Sequence, residues 1–192
     1  DITISINYIR EQHYNLAPLS EEFVVEAINM DVRNLPKMFY ETEIYETKDR
    51  EVFEVHYAEQ CVQNPYLYNG IKETLEALRI QDVKLSVATN APTPFAKKML
   101  THLGVDSLFD VIIGADKVSA SKPDPQMINN ILSFYNFDKT RDNAWMIGDN
   151  SKDILSADNA GIESMFATWG FSPYGENATL IHHPKEVLDI VL

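Results

Sequence analysis

Two acids set four positions apart, Asp149 and Asp153, stand in the stretch Ala144-Trp-Met-Ile-Gly-Asp-Asn-Ser-Lys-Asp-Ile154. Carboxylate oxygens so placed suit Mg2+, a hard cation that keeps several waters and takes one or two protein carboxylates. Read alone, the stretch is equally a turn whose Asp or Ser caps a helix, since both residue types are favoured there. Two further groups could work with the acids. Thr89-Asn90 offers a hydroxyl and an amide able to hydrogen-bond phosphate oxygens. Lys122, in the loop Ser119-Ala-Ser-Lys-Pro-Asp-Pro125, can serve as a point-charge phosphate binder. Each is weak by itself: a Thr-Asn pair before a Pro-containing helix start commonly caps, and a lone Lys in a polar loop is commonly solvated. Converging on one crevice, they would bind a phosphoryl group whose charge Mg2+ neutralises.

That convergence depends on the elements carrying these residues. The apolar run Ala144–Ile147 meeting Gly148 reads as a short buried strand, and Ser151–Ala160 as a helix. Asp149 then sits at the carboxyl end of a strand, outside which open α/β sheets bind ligands. Val83–Ala88 is a second apolar run, ending in Thr89-Asn90. Phe95, Met99, Leu100 and Leu103 mark a helix that Gly104 closes. Phe109–Ile113 reads as a strand, Pro125–Asn136 as a helix, Glu163–Thr168 and Ala178–Ile181 as strands, and Pro184–Leu192 as a last helix. Strands alternating with helices from Pro65 onward predict βαβ units and a parallel sheet. The chain before Pro65 reads as all-helical. Asp1–Gln12 fits both an alternating strand (Ile2, Ile4, Ile6, Tyr8) and a helical stripe (Ile2, Ile6, Ile9, His13), and helix is preferred because no turn signal interrupts it. Ser20 followed by Glu21 and Glu22 is a helix start. Leu35–Tyr40 and Asp49–Gln63 complete the helical third.

The totals narrow the function classes. A chain of 192 residues with 45% hydrophobic and 23% charged residues is an ordinary globular composition, sized for one domain or a core with a smaller insert. The formal net charge of −13 leaves no basic footprint for wholesale nucleic-acid binding, so no nucleic-acid partner is expected. The single Cys61 excludes an internal disulfide and fits a reducing compartment. No apolar run spans a bilayer and no leader is evident, so the expected location is the cytoplasm, without a membrane partner.

The segments V-A-T-N (87–90), S-K-P-D-P (121–125) and G-D-N-S-K-D-I (148–154) resemble, in order and spacing, the second, third and fourth motifs of the haloacid dehalogenase (HAD) superfamily. P-Y-L-Y-N-G-I-K-E-T-L-E-A-L (65–78) and A-T-W-G-F (167–171) resemble its phosphoglycolate phosphatase-like branch. The likeness covers Pro65–Leu192 well and the first third loosely. It implies an α/β fold, a doubly wound parallel sheet of Rossmann-like HAD type with a small all-helical cap. Residues 1–13 and 65–192 would form the core and 14–64 the cap. It further implies a Mg2+-dependent phosphatase acting on a small organic phosphate monoester through an aspartyl-phosphate. Thr89 would bind the phosphoryl oxygens, with Asn90 beside it. Lys122 would steady the nucleophile and the phosphate. Asp149 would ligate Mg2+, and Asp153 would ligate through water or orient the Lys. A phosphoglycolate-like substrate needs a cation for its carboxylate, for which Arg33 in the turn Asp31-Val-Arg-Asn34 is the first candidate and Lys37 the second.

The family's first motif, D-x-D-G-T at the end of an apolar strand, supplies both the nucleophile and the acid/base. No D-x-D occurs in this chain. Covalent phosphoryl transfer needs a nucleophile, and a positioned acid/base typically adds about 10²- to 10⁴-fold. The nucleophile is therefore expected upstream of Asp1, and the chain alone is expected to be inactive. The strand bearing it would lie between those ending at Thr89 and Asp149. Burying its apolar side chains would contribute roughly 10 kcal/mol. Competing readings are a phosphosugar mutase of the same superfamily, a dehalogenase (which needs no Mg2+), a receiver-like signalling domain and a non-catalytic phosphate-binding protein.

Overall fold

The fold is described from a computed structural model, for residues 1–30, 33–171 and 178–192. The chain divides into two compact units, Asp1–Pro65 and Tyr66–Leu192.

The first unit is helical: α1 (Ile2–Tyr14), α2 (Glu21–Asn29), α3 (Leu35–Tyr40) and α4 (Thr47–Gln60). Helix rather than strand forms at the amino end because the 3.6-residue stripe puts Ile6 and Ile9 together in a core with Val24, Ala27, Phe39 and Tyr40. Helix α1 stops where Asn15 turns left-handed at φ 50°. Ser20 caps α2, its hydroxyl accepting from Phe23 N–H at 3.2 Å. Helices α1 and α4 are also joined by polar side chains. Ser5 Oγ meets His56 Nδ1 at 2.9 Å, and Asp49, 1% exposed, binds His13 Nδ1 at 2.6 Å and accepts the Tyr14 hydroxyl. The expected division differs here: residues 1–13 pack within the helical unit, because the apolar face of α1 is covered by the side chains of α2 and α3.

The second unit is α/β, in the order α5 (Ile71–Ile80), β1 (Ser86–Thr89), α6 (Thr93–His102), β2 (Val111–Gly114), α7 (Gln126–Phe134), β3 (Trp145–Gly148), α8 (Ser151–Ala160), β4 (Glu163–Ala167), β5 (Thr179–Ile181) and α9 (Glu186–Val191). All described strand pairs are parallel. The described strands fall into two hydrogen-bonded sets. Strand β1 pairs with β2, Thr89 opposite Gly114, while β3, β4 and β5 form a separate sheet with Gly148 opposite Phe166. No ladder joins β1 to β3 among the described residues. Burial follows this division. Strand β4 is buried from Ser164 to Ala167, as a central parallel strand should be, whereas β1 and β3 are half-buried and Ile147 is 40% exposed. Leu78, Met165, Ile181 and Val187 form a core against which Trp145 and Trp169 pack. No helix among the described residues is long and apolar enough to cross a membrane.

Candidate active site

The site is built where β1 and β3 end. Strand β3 finishes at Gly148, and Asn150 starts α8 with a reciprocal cap. Its side chain accepts from Lys152 N–H at 3.0 Å, while Asp153 Oδ2 accepts from Asn150 N–H at 3.2 Å. This cap fixes the Asp153 carboxylate at the first turn of α8. Gly148 must be glycine for the same reason, since a Cβ there would overlap the Cβ, Cγ and Oδ2 of Asp153.

Lys122 links the two sheets. Its Nζ donates to Asp153 Oδ1 at 2.6 Å and to the carbonyl of Ala88, in β1, also at 2.6 Å. Both partners of this ion pair are nearly enclosed, at 9% and 10% side-chain exposure. A buried charge is costly unless paired and hydrogen-bonded, and here each charge supplies the other's partner. The loop carrying Lys122 is fastened to the end of β1 by Asn90. The Asn90 amide donates to Lys122 O at 3.0 Å and accepts from Lys122 N–H at 2.9 Å. Thr89 Oγ1 accepts from Ala91 N–H at 3.1 Å, and among the described residues its own proton is left available to a ligand oxygen.

Asp149 is half-buried, and its Oδ2 accepts from Phe171 N–H at 2.8 Å. Its Oδ1 has no hydrogen-bond partner among the described residues. Tyr68 lies close enough for its hydroxyl to respond: burial pushes its pKa up, and Tyr66 and the Asp149 charge push it further. Among the described residues no three His, Cys, Asp or Glu side chains converge on a metal position. Mg2+ requires no such cluster. One carboxylate with an open oxygen, completed by water and phosphate oxygens, fits its octahedral preference.

Thr89, Asn90 and Asp149 are thus at the ends of β1 and β3, Lys122 is in the loop before α7, and Asp153 is in the first turn of α8. Arg33 belongs to the helical unit, where its guanidinium donates to Met30 O. Asp31 and Val32 of its turn lie outside the described residues. Lys37 pairs with Glu43 at 3.0 Å on the surface of that unit. Two contributors escaped sequence reasoning: the Ala88 carbonyl and the Phe171 N–H. Main-chain groups carry no side-chain signature. The one available hint was Gly170 within A-T-W-G-F.

Comparison with known proteins agrees with this architecture. The model of the haloacid dehalogenase-like hydrolase family matches residues 2–167. A phosphoglycolate phosphatase of Pectobacterium atrosepticum is 36% identical over 146 residues, which is 76% of this chain and 60% of that protein. The chain spans about three-fifths of the length of the first curated relatives it matches, 57% in Colwellia psychrerythraea. A predicted phosphoglycolate phosphatase from Haemophilus somnus 129pt superposes with a TM-score of 0.83 at 27% identity, over 99% of this chain and 90% of that one. A HAD-superfamily hydrolase of subfamily IA, variant 1, from Geobacter sulfurreducens PCA shares the fold, with a TM-score of 0.74 at 22% identity over 99% of this chain and 90% of its own. The extent of the family match and the identity to the relatives together place the chain in the haloacid dehalogenase-like hydrolase family.

Proposed function

We propose that the chain is the phosphate-handling part of a Mg2+-dependent phosphatase for a small, phosphoglycolate-like phosphate monoester, working through an aspartyl-phosphate. The observation that carries the reading is the Lys122 bridge, which brings the end of β1 and the first turn of α8 to one ammonium group. Thr89 Oγ1, already accepting from Ala91, would donate its proton to a phosphoryl oxygen. Lys122 would supply positive charge beside the transferring group, held on station by Asp153 and by the Asn90 clasp on its backbone. Both Asp153 oxygens accept N–H donors, which favours the orienting role over direct ligation. Asp149 would hold Mg2+ through Oδ1. When bound, the ion would neutralise charge on the phosphoryl oxygens.

The nucleophilic Asp and its acid/base partner are assigned to a segment preceding Asp1. Two features support this: D-x-D is missing from the sequence, and β1 and β3 each keep an unpaired ladder edge among the described residues. Arg33 is assigned to the substrate carboxylate. If so, Arg33→Ala raises KM for phosphoglycolate but not for p-nitrophenyl phosphate, which has no carboxylate; equal effects on both would remove Arg33 from this role.

The test is hydrolysis of p-nitrophenyl phosphate by protein carrying the upstream segment, beside the 192-residue chain. Turnover is expected only in the longer protein, and only with Mg2+. Turnover by the 192-residue chain, or turnover insensitive to EDTA, would contradict the reading.

A further inference from the structure

The turn after β4 holds Asp149 in two ways. Phe171 N–H donates to Oδ2 at 2.8 Å. Gly170 lies so close that a Cβ there would overlap the Cβ, Cγ and Oδ2 of Asp149, atoms near the main chain that cannot swing clear as a long side chain would. The turn is itself anchored. Thr168 N–H and Oγ1 both donate to Ile181 O, at 3.0 and 3.2 Å, and Gly170 N–H donates to Ala167 O at 3.3 Å. Trp169 packs against the core of Leu78, Met165, Ile181 and Val187. The Phe171 side chain, by contrast, is 73% exposed, so only its main chain is committed to the site.

We propose that Trp169-Gly170-Phe171 is a positioning element that makes Asp149 a one-oxygen metal ligand and so biases the site toward Mg2+ over Ca2+. The proposal rests on the reading of Asp149 as a metal ligand. Its physical basis is coordination geometry. With one lone pair of Oδ2 taken by the Phe171 N–H, Oδ1 is the freer oxygen and two-oxygen binding competes with that hydrogen bond. Mg2+ accepts single oxygens in a tight octahedron, whereas Ca2+ takes six to eight oxygens and often binds a carboxylate through both. Outer partners that orient a ligand typically matter about 10- to 100-fold in metal affinity. Gly170 is required because any larger residue would push the carboxylate off this donor.

Calorimetric titration of Mg2+ and of Ca2+ into the 192-residue chain tests this, with circular dichroism to confirm that each variant is folded. The unaltered chain is expected to prefer Mg2+. Gly170→Ala and Phe171→Pro, which displaces or deletes the donor, are expected to weaken Mg2+ binding about tenfold or more and Ca2+ binding much less. Phe171→Ala keeps the N–H and should keep the Mg2+ preference. Folded variants with an unchanged ratio of affinities, or with equal losses for both ions, would overturn the proposal and leave Asp149 as a ligand. An unaltered chain that binds Ca2+ as tightly as Mg2+ would also overturn it, whatever the variants do. A chain that binds neither ion would overturn both this proposal and the Asp149 assignment.

Discussion

Lys122 and Asp153 form an enclosed ion pair that, under the proposed function, would serve structure and chemistry together. The ion pair spans 2.6 Å with about a tenth of either side chain exposed, so removing one partner strands the other in a poorly solvated place. Breaking such a pair costs about 3–5 kcal/mol. The pair Lys37–Glu43 has nearly the same separation, 3.0 Å, but is 64% and 76% exposed, and pairs of that kind contribute about 0–1 kcal/mol. Lys122→Met is therefore expected to lower the urea midpoint strongly and Lys37→Met hardly at all. Comparable losses would mean that enclosure does not set the strength of the Lys122 pair. The residue types at this site were legible in the sequence, but their division of labour was not. Asn90 was expected beside the phosphate, yet both polar atoms of its amide clasp the backbone of Lys122. A short amide reaching across to a loop more than thirty residues away leaves no periodic trace.

Elements were legible where an apolar pattern and a cap coincide. Helix α8 runs from the Asn150 cap to left-handed Gly161 with the bounds the sequence suggests. The apolar run Val83–Ala88 begins three residues ahead of the strand it leads into. Val83 N–H closes the end of α5 on Leu78 O at 3.0 Å, and the β1 ladder begins only at Ser86. Apolar character alone cannot separate a helix exit from a strand start. Asp49 was invisible for a different reason. A polar residue buried on two side-chain donors runs against the hydrophobic period that located its helix. At the entry to β2, Asp110 accepts from Arg79 at 2.9 Å and from the Tyr135 hydroxyl at 3.0 Å. Burial pushes its carboxyl up, but Tyr135 and Arg79 pull harder, leaving it below its ordinary value. A carboxyl lowered in the folded state stabilises at pH above its unfolded pKa, about 3.9, and that contribution fades as pH falls through the folded value. The urea midpoint should therefore drop more steeply below about pH 4 in the native chain than in Asp110→Asn. Identical acid limbs would show that this network does not couple to folding.

For the molecule as a whole, the main physical problem is charge. Under the proposed function a chain of net −13 would have to hold a phosphate ester, and long-range attraction works against it. The arrangement answers this locally, with one enclosed lysine between two strand ends and one carboxylate whose open oxygen can bind a cation. The sheet adds a second constraint. Strand β4 is packed as a central strand, while β1 and β3 each keep a half-buried, unpaired edge among the described residues. Unpaired ladder groups invite another strand, and the proposed nucleophile-bearing segment would place its catalytic Asp at the same end as Thr89 and Asp149. Motif order in the sequence leads to the same proposal. It could not show which main-chain donors aim each side chain, because those arise only when the loops close.

The most direct test of the central claim is a crystal structure of the protein grown with Mg2+ and tungstate, a phosphate mimic with strong density. The account expects one oxyanion within hydrogen-bonding reach of Thr89 Oγ1 and Lys122 Nζ, with Mg2+ between it and Asp149 Oδ1. An oxyanion bound away from those groups, or a metal ion that leaves Asp149 unliganded, would contradict it.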